Sequence, residues 1–285
     1  MTLDLYRTPG DMSDAGRQVR LFEGLPDDVG ALARIVQGLL IHQHIAPAYG
    51  VTLSQAQLAE PHVRGVEPML ERLAERDPNP LTRPRPEARR LVGVCRHFTL
   101  LHVAMLRVKG IAARARCGFG AYFEPGKYVD HWVTEYFDAG QGRWRLVDPQ
   151  IDARQRELFK IGFDPLDVPR DQFLVAGDAW QLCRTGKAAP DAFGIMDMHG
   201  LWFIAGNVVR DLAALNNHEM LPWDVWGAMA RSDDAVDLSF TDRLAGLSRA
   251  PDANPEAVRE AYRDPRLAVP PTVFNAVLNR PEALH

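Results

Sequence analysis

The clearest hydrophobic pattern in the chain predicts a helix that begins at a cysteine. From position 95 to position 109 the apolar residues recur at three- and four-residue steps, which is the spacing of one helix face. Gly110 follows where a helix stop is expected. The residues that set this pattern are Cys95, Phe98, Leu101, Met105 and Val108.

Alternating patterns after this helix predict three strands. The first covers residues 111–123, and the second begins at His131, where residues on one side alternate with Trp132, Thr134 and Tyr136 on the other. A four-residue turn over 138–141 then leads into a third strand that ends at Asp148. The last two strands are therefore predicted to form an antiparallel hairpin.

The flanking regions predict mainly helices. Residues 26–49 show helical spacing behind an acidic start, and a short helix is expected over 68–76. Residues 151–285 contain several helical candidates and no clear strand pattern. The prediction is an α+β fold with an irregular arm at 1–25, a core of helices on a small antiparallel sheet at 26–150, and an all-helical extension at 151–285 packed on the core.

Composition and charge narrow the function classes. The formal net charge is −4 and no basic stripe is present, so nucleic acid is not an expected partner. No apolar run reaches the length of a membrane span, and the first 25 residues lack the apolar run of a signal peptide. Three cysteines are too few for a disulfide framework and fit a reducing compartment. A cytoplasmic protein is expected.

A cysteine at a helix start has a chemical advantage. The unpaired N–H groups and the dipole favour the thiolate of Cys95, and the same N–H groups can hold an oxyanion. His97 lies about 200° around the helix from Cys95 and His102 lies roughly 10 Å along it, so neither suits as its base. The predicted hairpin places Asp148 opposite His131, which makes His131 the expected base and Asp148 its orienting acid.

The residues around these three positions resemble a known family. The segments GVCRHFTLLHVAMLRVKGIAARARCGFG, DHWVTEYF and WRLVDP are similar to core motifs of the transglutaminase-like superfamily of the bacterial type. The resemblance implies a papain-like core, a catalytic triad of Cys95, His131 and Asp148, and cysteine-dependent acyl transfer or hydrolysis of an amide or ester through a thioester. Taken singly, each residue is more often structural; their order, spacing and motif context favour the triad.

Other positions are weaker candidates for substrate or oxyanion contacts. Gln43 can supply a side-chain donor from upstream, Gly118 lets a neighbouring backbone or substrate approach closely, and Trp132 belongs to the H-x-W motif. Arg114 and Arg116 are expected to pair with neighbouring acids, and the arginines between 72 and 90 are expected to form a solvated face.

The expected substrate is a small molecule or a peptide with an amide. No metal site and no cofactor are expected, and the sequence leaves the oligomeric state open. The competing hypothesis is a non-catalytic binding or scaffold protein that keeps the same fold.

Overall fold

The computed structural model describes residues 3–284, which divide into two compact units. The N-terminal unit contains residues 3–115 and 133–168, and the C-terminal unit contains residues 116–132 and 169–284. Strands β3 (Ala113–Gly120) and β4 (Tyr128–Asp138) contribute residues to both units. The domain boundaries at residues 25 and 150 stay a prediction. No helix within 3–284 combines the length and the apolar character needed to cross a bilayer.

The N-terminal unit is built from five α-helices, three further strands and parts of β3 and β4, with short 3-10 helices in its connections. Its helices and its further strands are α1 (Val29–Leu39), β1 (Leu40–His42), α2 (Gln55–Leu58), α3 (Val66–Arg76), β2 (Leu91–Gly93), α4 (Cys95–Val108), β5 (Arg143–Val147) and α5 (Ala153–Leu158).

Helix α1 begins with an aspartate cap and ends earlier than predicted. The side chain of Asp28 accepts a hydrogen bond from the Ala31 amide at 2.7 Å, which satisfies one orphan donor of the first turn. The predicted helix over 26–49 is too long, because the chain leaves α1 at Leu39 and enters β1. Strand β1 pairs in parallel with β2, about fifty residues further along the chain, so local periodicity does not reveal it.

The helix that begins at Cys95 is confirmed. It is α4, its last helical residue is Val108, and Gly110 follows in the left-handed region with φ of 73°. A left-handed glycine just after a helix is a common stop, because glycine has no Cβ to clash there. The apolar spacing and the glycine stop therefore predicted this helix correctly.

The predicted hairpin forms, but its register differs from the prediction by two residues. Strand β4 continues to Asp138, which pairs with Arg143, and the four-residue loop covers 139–142. Trp144 consequently lies opposite Phe137. The predicted opposition of Asp148 and His131 is therefore wrong. The physical reason is Gly142, which takes a left-handed φ of 64° and closes the loop one residue later than assumed.

The C-terminal unit is helical with additional short strands. Its elements beyond β3 and β4 are β6 (Phe173–Val175), α6 (Ala176–Arg184), β7 (Phe193–Ile195), β8 (Met198–His199), α7 (Leu201–Leu215), β9 (Asp224–Val225), α8 (Leu238–Arg249), α9 (Pro255–Tyr262), β10 (Thr272–Asn275) and β11 (Arg280–Ala283).

The α+β class is confirmed, with one correction to the part after residue 150. That part contains helices as predicted, but it also contains strands of two to four residues, which are too short to show an alternating pattern. Within the C-terminal unit β6 pairs antiparallel with residues 118–120 of β3, and β7 pairs in parallel with the start of β4. The strands β9, β10 and β11 form a separate antiparallel sheet.

Two buried arginines on β3 have carboxylate partners. Arg114 Nε lies 2.7 Å from Glu135 Oε2 in the N-terminal unit. In the C-terminal unit Arg116 makes two bonds to the carboxylate of Asp211, at 3.0 and 2.9 Å. All four side chains are buried, so each charge is paired away from water. The expectation that both arginines pair with acids is confirmed.

Candidate active site

Cys95 is the first residue of α4 and is only 6% exposed. The chain reaches it from β2 through Val94, whose extended backbone begins the helix without a side-chain cap. The first amides of any α-helix have no acceptor within the helix. Cys95 therefore stands at the end of the helix where the unpaired amides lie, and the predicted interaction of those amides with its thiol stays a prediction.

Gly93 is needed because of a histidine. A Cβ atom at Gly93 would lie 2.8 Å from Cβ and 2.9 Å from Cγ of His97. Real Cβ atoms do not approach that closely, so a larger residue would displace the imidazole. The glycine before Cys95 thus makes space for the ring of His97.

Both imidazole nitrogens of His97 are used inside the N-terminal unit. Nδ1 accepts from the Val94 amide at 3.1 Å, and Nε2 lies 3.0 Å from the Val63 carbonyl oxygen. Since a carbonyl only accepts, Nε2 carries the proton and the ring is neutral. Burial, reinforced by the charge of Arg96, lowers the pKa of His97 to about 3. His97 therefore fixes the entry into α4.

His102 has a similar role one and a half turns further along α4. Its Nε2 lies 3.2 Å from the Val29 carbonyl oxygen, and its Nδ1 lies 3.1 Å from the Thr134 hydroxyl. Burial lowers the pKa of His102 to about 4. The nitrogens of both α4 histidines are therefore committed to partners other than Cys95, as expected from their places on the helix.

Gln43 lies next to the start of α4 because of the parallel pair β1–β2. The register runs from Leu40 opposite Leu91 to His42 opposite Gly93. The Gln43 amide then donates to the Gly93 carbonyl oxygen at 2.8 Å. Gln43 is partly exposed. The backbone of Gln43 is thus held beside Gly93, which lies two residues before Cys95. The residues next to Gln43 in the sequence do not predict this position.

His131 lies on β4 among aromatic rings of the C-terminal unit. Its ring centroid is 4.7 Å from that of Phe123, 5.9 Å from that of Tyr122 and 6.3 Å from that of Phe173, and all three contacts are edge-on. The imidazole is 2% exposed. No sequence pattern predicted these rings as neighbours of His131. Two of them stand in the segment GFGAYFEPG just before β4, where their closeness along the chain was a usable indication.

Asp130, the residue before His131, takes part in a buried polar chain that the sequence analysis missed. Its Oδ1 accepts from Asn207 Nδ2 at 2.7 Å, and Asn207 Oδ1 accepts from Arg210 at 3.0 Å. Burial raises the pKa of the Asp130 carboxyl, while Arg210 and Asn207 oppose that shift. These contacts tie the strand that carries His131 to α7.

Asp148 lies immediately after β5 and is fully buried. Its backbone amide donates to the Pro165 carbonyl at 2.8 Å, and its Oδ1 accepts from the Gln150 amide at 3.0 Å. These bonds fix both the main chain and the carboxylate.

A side-chain network continues from Gln150. Its Nε2 donates to Gln155 Oε1 at 2.9 Å, Gln155 Nε2 donates to the Tyr49 hydroxyl at 3.1 Å, and that hydroxyl donates to Asp152 Oδ2 at 2.7 Å. Burial, together with Asp152, raises the pKa of Tyr49. This network braces the turn after Asp148.

Gly118 and Trp132 have different environments in the C-terminal unit. A Cβ atom at Gly118 would lie 2.1 Å from the Leu174 carbonyl oxygen of β6, so the approaching group at this glycine is backbone. Trp132 is fully buried, and within residues 3–284 its indole N–H has no hydrogen-bond partner. A substrate or oxyanion role for either residue stays a prediction.

Between residues 3 and 284 no group of three or more His, Cys, Asp or Glu side chains is arranged to hold a metal ion.

Comparison with known proteins agrees with this arrangement of elements. Residues 72–149 match the model of the transglutaminase-like superfamily. This region is transglutaminase-like. It runs from the end of α3 through α4 and the hairpin, and it includes Cys95, His131 and Asp148. Searches among curated proteins and solved structures returned no match. The transglutaminase-like superfamily points to cysteine-dependent acyl transfer or hydrolysis, and it also has non-catalytic members.

Proposed function

We propose that this protein is a cysteine-dependent acyltransferase or amidohydrolase. The observation that carries the proposal is the position of Cys95 at the first residue of α4, inside the transglutaminase-like region. A thiolate there is next to backbone donors that can stabilise the oxyanion formed during attack on a carbonyl. The substrate class is a small molecule or peptide that carries an amide or ester.

The proposed reaction has two steps. The thiolate of Cys95 attacks the carbonyl carbon, the tetrahedral oxyanion collapses, and the leaving amine or alcohol takes a proton from the imidazolium of His131. The resulting thioester is then attacked by water or by an amine, which gives one proton to His131. The second tetrahedral oxyanion collapses, releases the acid or the new amide, and regenerates the thiolate of Cys95 and the imidazolium of His131. Both steps conserve atoms and charge with no added oxidant or metal.

Asp148 is proposed to orient and stabilise the His131 imidazolium. The bonds that hold its backbone and Oδ1 give it a fixed position, as an orienting acid requires. The hairpin register differs from the predicted register by two residues. Because side chains alternate between the two faces of a strand, an even difference leaves every residue on its predicted face. The proposed role of Asp148 therefore does not depend on direct opposition to His131.

Gln43 is proposed to add a donor to the oxyanion site. Its support is the parallel strand pair, which holds its backbone beside the residues that lead into Cys95. A preorganised side-chain amide at such a site typically contributes a factor of about 10² to 10³ in rate.

The test is the pH dependence of iodoacetamide labelling, followed for each cysteine by peptide mass spectrometry. Across the neutral pH range Cys95 is expected to be labelled faster than Cys183. Cys183 is an internal reference, because burial raises its pKa to about 11. His131→Asn should slow the labelling of Cys95 at neutral pH by about tenfold or more, by loss of a thiolate–imidazolium pair. The matched variant His199→Asn, at an exposed position of the C-terminal unit, should not.

A second readout tests the acyl step directly. p-Nitrophenyl acetate should add one acetyl group to the intact protein, and Cys95→Ser should abolish the addition. Gln43→Ala should slow acetylation about 10²-fold or more. If Cys95 follows the pH profile of an ordinary thiol, stays unchanged in His131→Asn and accepts no acetyl group, the proposal fails and the non-catalytic binding protein is the better interpretation.

A further inference from the structure

The segment that joins α3 to β2 lines an open surface cavity of about 560 Å³. Its lining contains five arginines and a single acid, together with prolines and an asparagine. The charged lining residues are Arg76, Asp77, Arg83, Arg85, Arg89 and Arg90. We call this cavity the arginine pocket. It lies within the N-terminal unit.

One arginine builds the wall of the pocket. Arg85 is 2% exposed and donates to the carbonyl oxygens of Asn79 at 2.6 Å, Pro80 at 3.0 Å and Asp77 at 3.2 Å. Its Nε also lies 3.4 Å from the Asp77 carboxylate. The loop is therefore folded around a guanidinium, and Arg76 and Arg90 add hydrogen bonds to the carbonyl oxygens of Arg90 at 2.9 Å and Arg85 at 3.1 Å.

Two arginines at the rim of the arginine pocket each make a single side-chain hydrogen bond within residues 3–284. A guanidinium has five N–H donors. Arg83 makes one hydrogen bond, to Asn79 Oδ1 at 3.1 Å, and Arg89 makes one, to the Arg76 carbonyl oxygen. Their other donors meet no acceptor among residues 3–284. This differs from the arginines of β3, each of which has a buried carboxylate.

The local charge favours an anion. Residues 76–90 contain five arginines against Asp77 and Glu87, in a chain whose net charge is −4. Asn79, Arg85 and Arg89 together lower the pKa of Asp77. Arg76 and Arg90 are partly neutralised by Glu60 and Glu87, so Arg83 and Arg89 are the two pocket arginines that form no salt bridge within residues 3–284.

We propose that the arginine pocket binds the phosphate group of a small phosphorylated molecule. A single carboxylate is satisfied by one bidentate guanidinium, whereas the oxygens of a phosphate can accept from two or more arginines at once. The volume lies within the range of about 300 to 1,000 Å³ found for small-molecule sites, which leaves room for more than the anionic group. The arginines between 72 and 90, which the sequence predicted to form a solvated face, thus include the side chains proposed to bind the phosphate group. This site is independent of the proposed acyl transfer at Cys95.

The test is isothermal titration calorimetry of the full chain with pyrophosphate, glycerol phosphate and citrate at low and at physiological salt. Saturable binding of the two phosphates is expected, weaker at higher salt. In Arg83→Gln/Arg89→Gln the affinity for the two phosphates should fall about tenfold or more. A tenfold loss corresponds to the free energy of one charge-assisted hydrogen bond. The matched double variant Arg34→Gln/Arg156→Gln removes the same charge from exposed positions outside the pocket and should bind within about twofold of the wild type.

Hydrogen exchange of the wild-type protein gives a readout that needs no variant. Pyrophosphate should slow exchange in peptides that cover residues 76–90. Binding of glycerol phosphate as tight as that of pyrophosphate would identify a phosphomonoester site, and tighter pyrophosphate binding a diphosphate site. The proposal is overturned if no phosphate binds saturably, if citrate binds more tightly than both phosphates, if both double variants lose affinity equally, or if the protected peptides lie elsewhere.

Discussion

The histidines of α4 and the histidine of β4 have different surroundings, although all three are buried. His97 and His102 use both ring nitrogens for hydrogen bonds within the N-terminal unit. His131 is packed edge-on by aromatic rings of the C-terminal unit. Nearness to Cys95 in the sequence therefore does not make His97 or His102 its base, because the ring nitrogens of both histidines are already bonded to other partners.

The largest effect expected from this comparison is acid destabilisation by the α4 histidines. Their pKa values in the folded chain are lowered to about 3 and about 4, so the unfolded chain binds protons that the folded chain cannot. Stability should therefore fall as the pH drops below about 6.5, by about 1.4 kcal/mol per pH unit for each histidine. The window extends to about pH 4 for His102 and about pH 3 for His97.

Urea denaturation at a series of pH values measures this loss. Carboxylates also contribute below pH 5, so the informative quantity is the difference between the wild type and His102→Gln. In that variant the slope of the free energy of unfolding against pH should be smaller by about 1.4 kcal/mol per pH unit between pH 6 and pH 4.5. An unchanged slope of stability against pH would mean that His102 is not held neutral in the folded chain. The contrast between the α4 histidines and the histidine of β4 would then be lost.

A smaller effect is expected from removing the His97 ring. His97→Leu leaves the Val94 amide and the Val63 carbonyl without their partner in a buried place, at a cost of about 3 kcal/mol. The exposed His44 is the control, and His44→Ala should change stability by less than about 0.5 kcal/mol. Equal stability of the two variants in urea denaturation would show that His97 is not the structural residue described above.

The smallest effect separates two buried threonines. Thr134 donates to His102, so Thr134→Val leaves a buried ring nitrogen unpaired and should cost about 1 to 2 kcal/mol. The Thr99 hydroxyl is equally buried but has no partner among residues 3–284, so Thr99→Val should be neutral or stabilising. Thermal unfolding of both variants checks this. A loss from Thr99→Val as large as that from Thr134→Val would contradict the hydrogen-bond assignment of His102.

Several parts of the fold followed from local patterns. The helix behind Cys95 was predictable because its apolar face and the glycine stop lie within sixteen residues. The hairpin was predictable as an element, but its register was not, because one residue of loop placement moves every pair by two. Strand β1 and the short strands after residue 150 were missed because their hydrogen-bond partners, and not their own periodicity, define them.

The sequence by itself determined that a cysteine begins a helix, that strands follow, and that the segment is transglutaminase-like, because helical spacing, strand alternation and motif order are all local properties. Only the tertiary structure decided what the polar side chains do. The partners of His97, His102 and Arg116 other than Val94 lie about 30 to 130 residues away along the chain. No local pattern records such distances, since a hydrogen bond depends on where the folded chain brings its donor and acceptor.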